Sequence, residues 1–240
     1  MGNKVFITGT GRCGTKAIAE AFGGLHEYNV WDGPRIVQYF QEKNPSKYIF
    51  ADNNFRKYVV DSMFSALKPE TDFLDSDNSL THLLDLIYNK FTNAKFILCV
   101  RDGRDYVTSA ANRNWHTYDC LDHKPLPNED YYDKWDNMSV IQKNAWAWVY
   151  RNQRCLNMFN LIPKDQTYIF KVEDSKDDDK LKQLESFVGF ELDIDTLRYK
   201  KVNSNNQTNN IPYKDNWTPE MLQEFNDIGY DLMKRLNYYE

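Results

Sequence analysis

Lys4-Val5-Phe6-Ile7-Thr8-Gly9-Thr10-Gly11-Arg12-Cys13-Gly14-Thr15-Lys16 is the stretch from which the rest of the chain is read. Lys4–Thr8 has the residues of a buried strand, and Lys16–Phe22 those of a short helix. A glycine-rich turn between a strand and a helix N-terminus makes an anion cradle. Successive N–H groups face inward, and the helix dipole adds partial positive charge. Glycines let the backbone curl around a phosphate with no Cβ in the way. The bland alternative is a plain βα turn whose glycines serve tightness. Against it stand three glycines, an Arg and a Lys occurring together.

Outward from this turn, strand and helix patterns alternate. His26–Val30 reads as a second strand, Asp72–Asp75 as a short one and Leu80–Phe91 as a helix. Lys95–Val100 (KFILCV) is apolar on both faces, as a central strand of a parallel sheet should be. A helix begins near Asp105, Val140–Phe159 is an aromatic-rich helix, Tyr168–Val172 a strand and Lys180–Val188 a helix. In the last helix Thr218 is the cap and Pro219 the first helical residue. Met221, Phe225, Ile228 and Leu232 form its apolar stripe. Trp115–Asp136 breaks all periodicity and reads as a loop insertion. This order implies an α/β fold, a single domain over residues 1–240 with a central, mostly parallel sheet flanked by helices.

Composition narrows the function. Apolar residues make up 41% of the 240 residues, which excludes wholesale disorder. Lys and Arg number 30 against 35 Asp and Glu, a formal charge of −5, so no nucleic-acid partner is expected. The longest apolar run, Ala145–Tyr150, is too short to span a bilayer, so no membrane partner is expected either. The N-terminus leads into a strand without a signal-peptide core, and the expectation is a cytoplasmic protein. Cys13, Cys99, Cys120 and Cys155 are widely spaced with no CxxC pair, which fits reduced thiols and gives no metal site.

The turn approaches the P-loop pattern G-x-x-x-x-G-K-[ST], with Gly9 and Gly14 in register, but ends Thr15-Lys16 in reversed order. A nucleoside triphosphate kinase needs the Lys on the β/γ-phosphates and the hydroxyl on Mg²⁺ directly after it. Arg12-Cys13-Gly14-Thr15-Lys16 instead resembles the phosphosulfate-binding loop of the sulfotransferases, R/K-[ST]-G-[TS]-[TS]. The second motif is Arg101-Asp102-Gly103-Arg104-Asp105-Tyr106-Val107-Thr108-Ser109. Arg101 follows a parallel strand at its C-terminal edge, where open α/β sheets bind ligands, and Ser109 lies in the next helix. A guanidinium and a hydroxyl there suit a phosphate monoester, and a charged surface turn is the alternative. The segment resembles the same family's 3′-phosphate motif, R-D-P-R-D with a Ser eight residues after the first Arg. Gly103 stands where Pro is frequent and is expected to loosen the turn slightly. Tyr168–Asp174 and Val188-Gly189-Phe190 look like the family's "YEDL … FLG" stretch.

The resemblance implies a P-loop-type sulfotransferase fold using PAPS (3′-phosphoadenosine 5′-phosphosulfate) as co-substrate, without a metal. It places the 5′-phosphosulfate on Gly11, Arg12, Cys13, Gly14, Thr15 and Lys16, and the 3′-phosphate on Arg101 and Ser109. Cys13, in place of Ser or Thr, contributes backbone only. Arg12 is the group that meets the charge growing on the leaving phosphate. Sulfuryl transfer also needs a base. Glu27 leads the candidates, from a His26-Glu27 pair like that of some sulfotransferase branches. Asp75 follows, in a segment that looks like the family's E-K-S-[PN], and then His26 and His82. The alternative for Asp75-Ser76-Asp77 is a helix cap.

The insertion 115–136 is the expected acceptor-binding region, since loops at strand ends carry specificity. Trp115, Tyr118, Tyr131, Tyr132 and Trp135 offer rings for stacking. Asp119, Asp122, Glu129, Asp130, Asp133 and Asp136 against Lys124 and Lys134 would repel a polyanion. A small-molecule or glycan acceptor is therefore expected, and homo-oligomer formation is left open. Lys200–Asn210 is read as a flap over the nucleotide. Two other functions compete: a P-loop phosphotransferase with Asp102 at a metal, and a nucleotide-binding module without catalysis.

Overall fold

The computed structural model describes residues 2–27, 52–65, 67–118, 123–127, 129–199 and 211–240. They divide into two compact units, Met1–Val100 with Arg154–Val202, and Arg101–Gln153 with Asn203–Glu240.

The first unit holds a five-stranded sheet. Its strands are β1 (Lys4–Gly9), β2 (Leu25–His26), β3 (Phe73–Ser76), β4 (Lys95–Val100) and β5 (Thr167–Lys171), in the order β2-β3-β1-β4-β5. Every pairing is parallel, with Ile7 opposite Ser76 on one side and Ile97 on the other. β1 is central and buried at every position, which is why its sequence is a near-continuous apolar run. Alternation along it feeds two faces. Val5 and Ile7 pack with Ile18, Leu181, Leu184 and Val188. Those partners come from α1 (Thr15–Ala21) and α6 (Asp178–Val188). Phe6 faces the other way, its ring 5.4 Å from Phe64 and 5.8 Å from Phe73 and Phe96.

Two helices of this unit lie outside the sequence-based expectation, α2 (Asn53–Met63) and α7 (Ile194–Tyr199). The region expected as one helix over Leu80–Phe91 is split. A 3-10 turn, Asn78–His82, precedes α3 (Leu84–Lys90), because the Asp77 side chain caps the turn by accepting from Ser79 N at 2.6 Å. β2 begins at Leu25, one residue before the expected start, and residues 28–30 lie outside the described residues.

The second unit contains α4 (Gly103–Ala111), the N-terminal part of α5 (Val140–Phe159) and α8 (Pro219–Arg235). Thr218 Oγ1 accepts from Met221 N, with Pro219 at the first turn, and Phe225 and Leu232 of the expected stripe are buried. Among the described residues no helix is long and apolar enough to cross a membrane.

Candidate functional site

Between β1 and α1 the chain takes an unusual path. Gly11, Arg12 and Gly14 all have positive φ, at 76°, 57° and 84°. For a non-glycine residue this conformation costs roughly 1–2 kcal/mol, so Arg12 is held there by its surroundings. Repeated left-handed residues turn consecutive N–H groups into one concavity, the geometry that takes an anion. Neither flanking glycine can gain a side chain. A Cβ on Gly9 would sit 2.4 Å from Cys13 Sγ and 2.6 Å from Cys99 O, and one on Gly14 would sit 2.8 Å from Val172 Cγ2. The last contact brings the stretch after β5 against the turn.

Cys13 explains how the loop is tied down. Its side chain is fully buried in the core beside Ile7, Ile18 and Cys99. Burial pushes the thiol up from its ordinary value despite hydrogen bonds from Thr10, Thr15 and Gly11. An inert thiol under the loop leaves the concave side to backbone. Thr15 is buried at the head of α1. Lys16 is exposed and lies 3.9 Å from Glu20 on the same helix. Backbone donors, no Cβ and a partly buried Arg12 fit a phosphosulfate.

Glu27, His26 and Asp75 fall at the C-terminal ends of β2 and β3 and His82 at the end of the 3-10 turn after β3, in very different settings. Glu27 N donates to Ser76 O at 2.8 Å, φ at Glu27 is 58°, and its side chain is 58% exposed. His26 Nδ1 lies 3.0 Å from Ser76 O and 2.7 Å from Ser76 Oγ, while Nε2 is 3.6 Å from Glu27 Oε1. A carbonyl oxygen only accepts, so this environment favours the proton on Nδ1 and turns Nε2 to Glu27. Asp75 is 0% exposed and His82 1% exposed. Asp77, which sequence reasoning passed over except as a cap residue, is 2% exposed, and its Oδ2 is buried with no hydrogen-bond partner. Burial, with the charges of Asp75 and Glu27, pushes its carboxyl up to about 7. No sequence signal separates Asp77 from an ordinary cap.

In the second unit Asp102 caps α4. Its Oδ1 accepts from Arg104 N and Nε, and Oδ2 accepts from Arg104 Nη2 at 2.7 Å and Lys214 Nζ at 2.9 Å. Burial raises this carboxyl, but the hydrogen bonds and charges of Arg104 and Lys214 outweigh it and hold it below its ordinary value. Both oxygens are thus committed to cations, which answers the reading of Asp102 as a metal ligand. Trp148 Nε1 donates to Arg101 O at 3.2 Å, and Arg101 Nε lies 4.0 Å from Asp105 Oδ2. Ser109 is 6% exposed on the same helix. Gly103 does not loosen the turn as expected. A Cβ there would meet Phe225 at 2.7 Å and Trp148 at 3.0 Å, so its bareness is a packing requirement.

The insertion is partly core. Trp135 is 4% exposed, its ring 5.4 Å from Trp146, with Tyr131, Met138 and Tyr150 packed against the same cluster. Trp115 stands edge-on to Tyr106 and His123, while Tyr118 is 50% exposed. Asp119 and Asp122 lie outside the described residues, as does the flap read over 200–210. The chain directly after it is anchored to α4, where Asn112 and Ile211 exchange hydrogen bonds and Thr108 Oγ1 donates to Pro212 O. Among the described residues no group of three or more His, Cys, Asp and Glu side chains could hold a metal ion.

A model of the sulfotransferase domain family matches residues 4–191 of this chain. No curated protein matches it. Several solved sulfotransferases share its fold. One from Mycobacterium avium is 10% identical, with 98% of this chain and 76% of that one covered, at a TM-score of 0.53. A mouse sulfotransferase in complex with PAP is 14% identical, with coverage of 97% and 85%, at 0.52. One from Alicyclobacillus acidocaldarius is 12% identical, with coverage of 99% and 95%, at 0.50.

Proposed function

Because this chain belongs to the sulfotransferase family, we propose that it moves a sulfuryl group from PAPS to a hydroxyl or amine of a small-molecule or glycan acceptor. The observation that carries the reading is the turn after β1, where Gly11, Arg12 and Gly14 are all left-handed and the Cys13 side chain is buried beneath them. In this reading residues 1–240 act as one sulfotransferase domain in the cytoplasm, where Cys13, Cys99 and Cys155 stay reduced.

When bound, PAPS supplies the sulfuryl group and a phosphate leaving group. The backbone of Gly11–Lys16 and the Thr15 hydroxyl hold the 5′-phosphosulfate. Arg12 meets the negative charge that grows on the leaving phosphate, with Lys16 as a second cation. Arg101 and Ser109 hold the 3′-phosphate. Glu27 takes the acceptor's proton. It is exposed where Asp75 and His82 are buried, and a base must come within hydrogen-bond reach of the proton it removes.

The test is transfer of label from sulfur-labelled PAPS to a panel of phenols, alcohols, sugars and amines. Wild-type protein labels at least one class. Glu27→Gln lowers its turnover by about 10²–10⁴-fold at unchanged nucleotide binding, and Asp75→Asn stays within a few-fold of wild type. Loss of turnover in Asp75→Asn with Glu27→Gln intact would move the base to Asp75. Nucleotide bound with no label transferred to any class overturns catalysis and leaves the nucleotide-binding module.

A further inference from the structure

Arg113 has no place in the family motif, yet it meets the residues that have one. It lies in the turn after α4, and its Nη1 donates to Ser109 O at 2.8 Å and to Ser109 Oγ at 2.9 Å. Arginine at a helix C-terminus often satisfies a last-turn carbonyl, which accounts for the first contact only. The second acts on chemistry. A hydroxyl has one proton and two lone pairs, and a guanidinium only donates. With Arg113 donating to Oγ, the Ser109 proton is turned away from Arg113, so Ser109 acts as a donor only toward another acceptor.

The charges around this helix point the same way. Burial and the positive charge of Arg101 both lower Arg113 from its ordinary value, so two guanidinium groups share a neighbourhood that favours an anion. Asp105 tempers Arg101 from 4.0 Å, but its carboxylate also accepts from Lys214 at 2.9 Å, and Asp102 is taken by Arg104 and Lys214. Four cations, Arg101, Arg104, Arg113 and Lys214, thus stand against two carboxylates, Asp102 and Asp105. Among these described residues cations outnumber carboxylates, a setting that suits a phosphate monoester.

We propose that Arg113 belongs to the 3′-phosphate subsite, as a second guanidinium for the phosphate and as the group that fixes the Ser109 hydroxyl as a donor. The proposal rests on the reading that Arg101 and Ser109 bind the 3′-phosphate of PAPS. Calorimetric titration of the full chain with adenosine 3′,5′-bisphosphate and with AMP separates the two. Wild type prefers the bisphosphate, and Arg101→Ala erases most of that preference. Arg113→Ala weakens the bisphosphate by about tenfold or more and AMP by less than about twofold. Arg113→Gln, which keeps an N–H for Ser109 and removes the charge, gives an intermediate loss and covers the case in which the alanine variant does not fold. Unchanged bisphosphate binding in a folded Arg113 variant overturns the proposal, and so does equal loss for both nucleotides. Wild type binding both nucleotides equally overturns the underlying reading as well.

Discussion

Asp77 shows how one residue can tie the site to stability. Its carboxyl is buried at the end of β3 and held at about 7, above the ordinary 3.8, chiefly by burial and then by the charges of Asp75 and Glu27. In the unfolded chain the group ionises near its ordinary value. Stability from keeping it protonated is therefore full below about pH 4, falls as the pH rises toward 7, and is absent above. Asp77→Asn keeps an oxygen for Ser79 N and cannot ionise. Its unfolding free energy relative to wild type should climb between pH 4 and pH 8, toward a limit on the order of 4 kcal/mol, read as a rising difference in melting temperature. A difference that stays flat over that range would mean that Asp77 is ionised throughout. The same burial gives the three carboxylates different settings. Glu27 is exposed, Asp75 is sealed in the strand, and Asp77 gives up its proton only around neutral pH.

At the scale of elements, β1 and β4 were legible because inner parallel strands are buried on both faces and leave unbroken apolar runs. KVFIT and KFILCV needed no tertiary information. α2 was signalled as well. Asp52 accepts from Asn54 and Phe55 N, and Phe55, Val59, Val60 and Met63 lie on its buried face. That short stripe was hidden by the polar residues around it. Gly103 is the opposite case. Beside the family's usual Pro it reads as a looser turn, and only the packing of α4 against Phe225 and Trp148 shows that no Cβ fits. Both neighbours are fully buried and cannot swing aside. Gly103→Ala should therefore lose about 1–3 kcal/mol in urea unfolding, despite alanine's better helix propensity. Full stability in that variant would show that α4 can shift from its neighbours.

Across the whole molecule, what the sequence disclosed is what is local. The two stretches that resemble the family's phosphate-binding motifs are contiguous runs about ninety residues apart, and their order alone narrows the chemistry. Asp77 and Arg113 were silent because their properties arise from burial and from neighbours that folding brings close. The competing phosphotransferase reading is decided by the whole chain's choice of ligand. Mg²⁺–ATP chemistry needs a lysine on the phosphates and a carboxylate at the metal. Here Lys16 lies beside Glu20, and Asp102 spends both oxygens on Arg104 and Lys214. A ligand that binds only the folded state stabilises it by about 2.7 kcal/mol at one hundred times its dissociation constant. For a chain of this length each kcal/mol raises the melting temperature by about 2–4 °C. Saturating adenosine 3′,5′-bisphosphate should thus raise it by roughly 5–11 °C, AMP by clearly less, and ATP with Mg²⁺ by no more than ATP alone. A larger shift with ATP and Mg²⁺ than with the bisphosphate would reverse the assignment, since the fold would then be selecting a triphosphate and its metal over a 3′-phosphate.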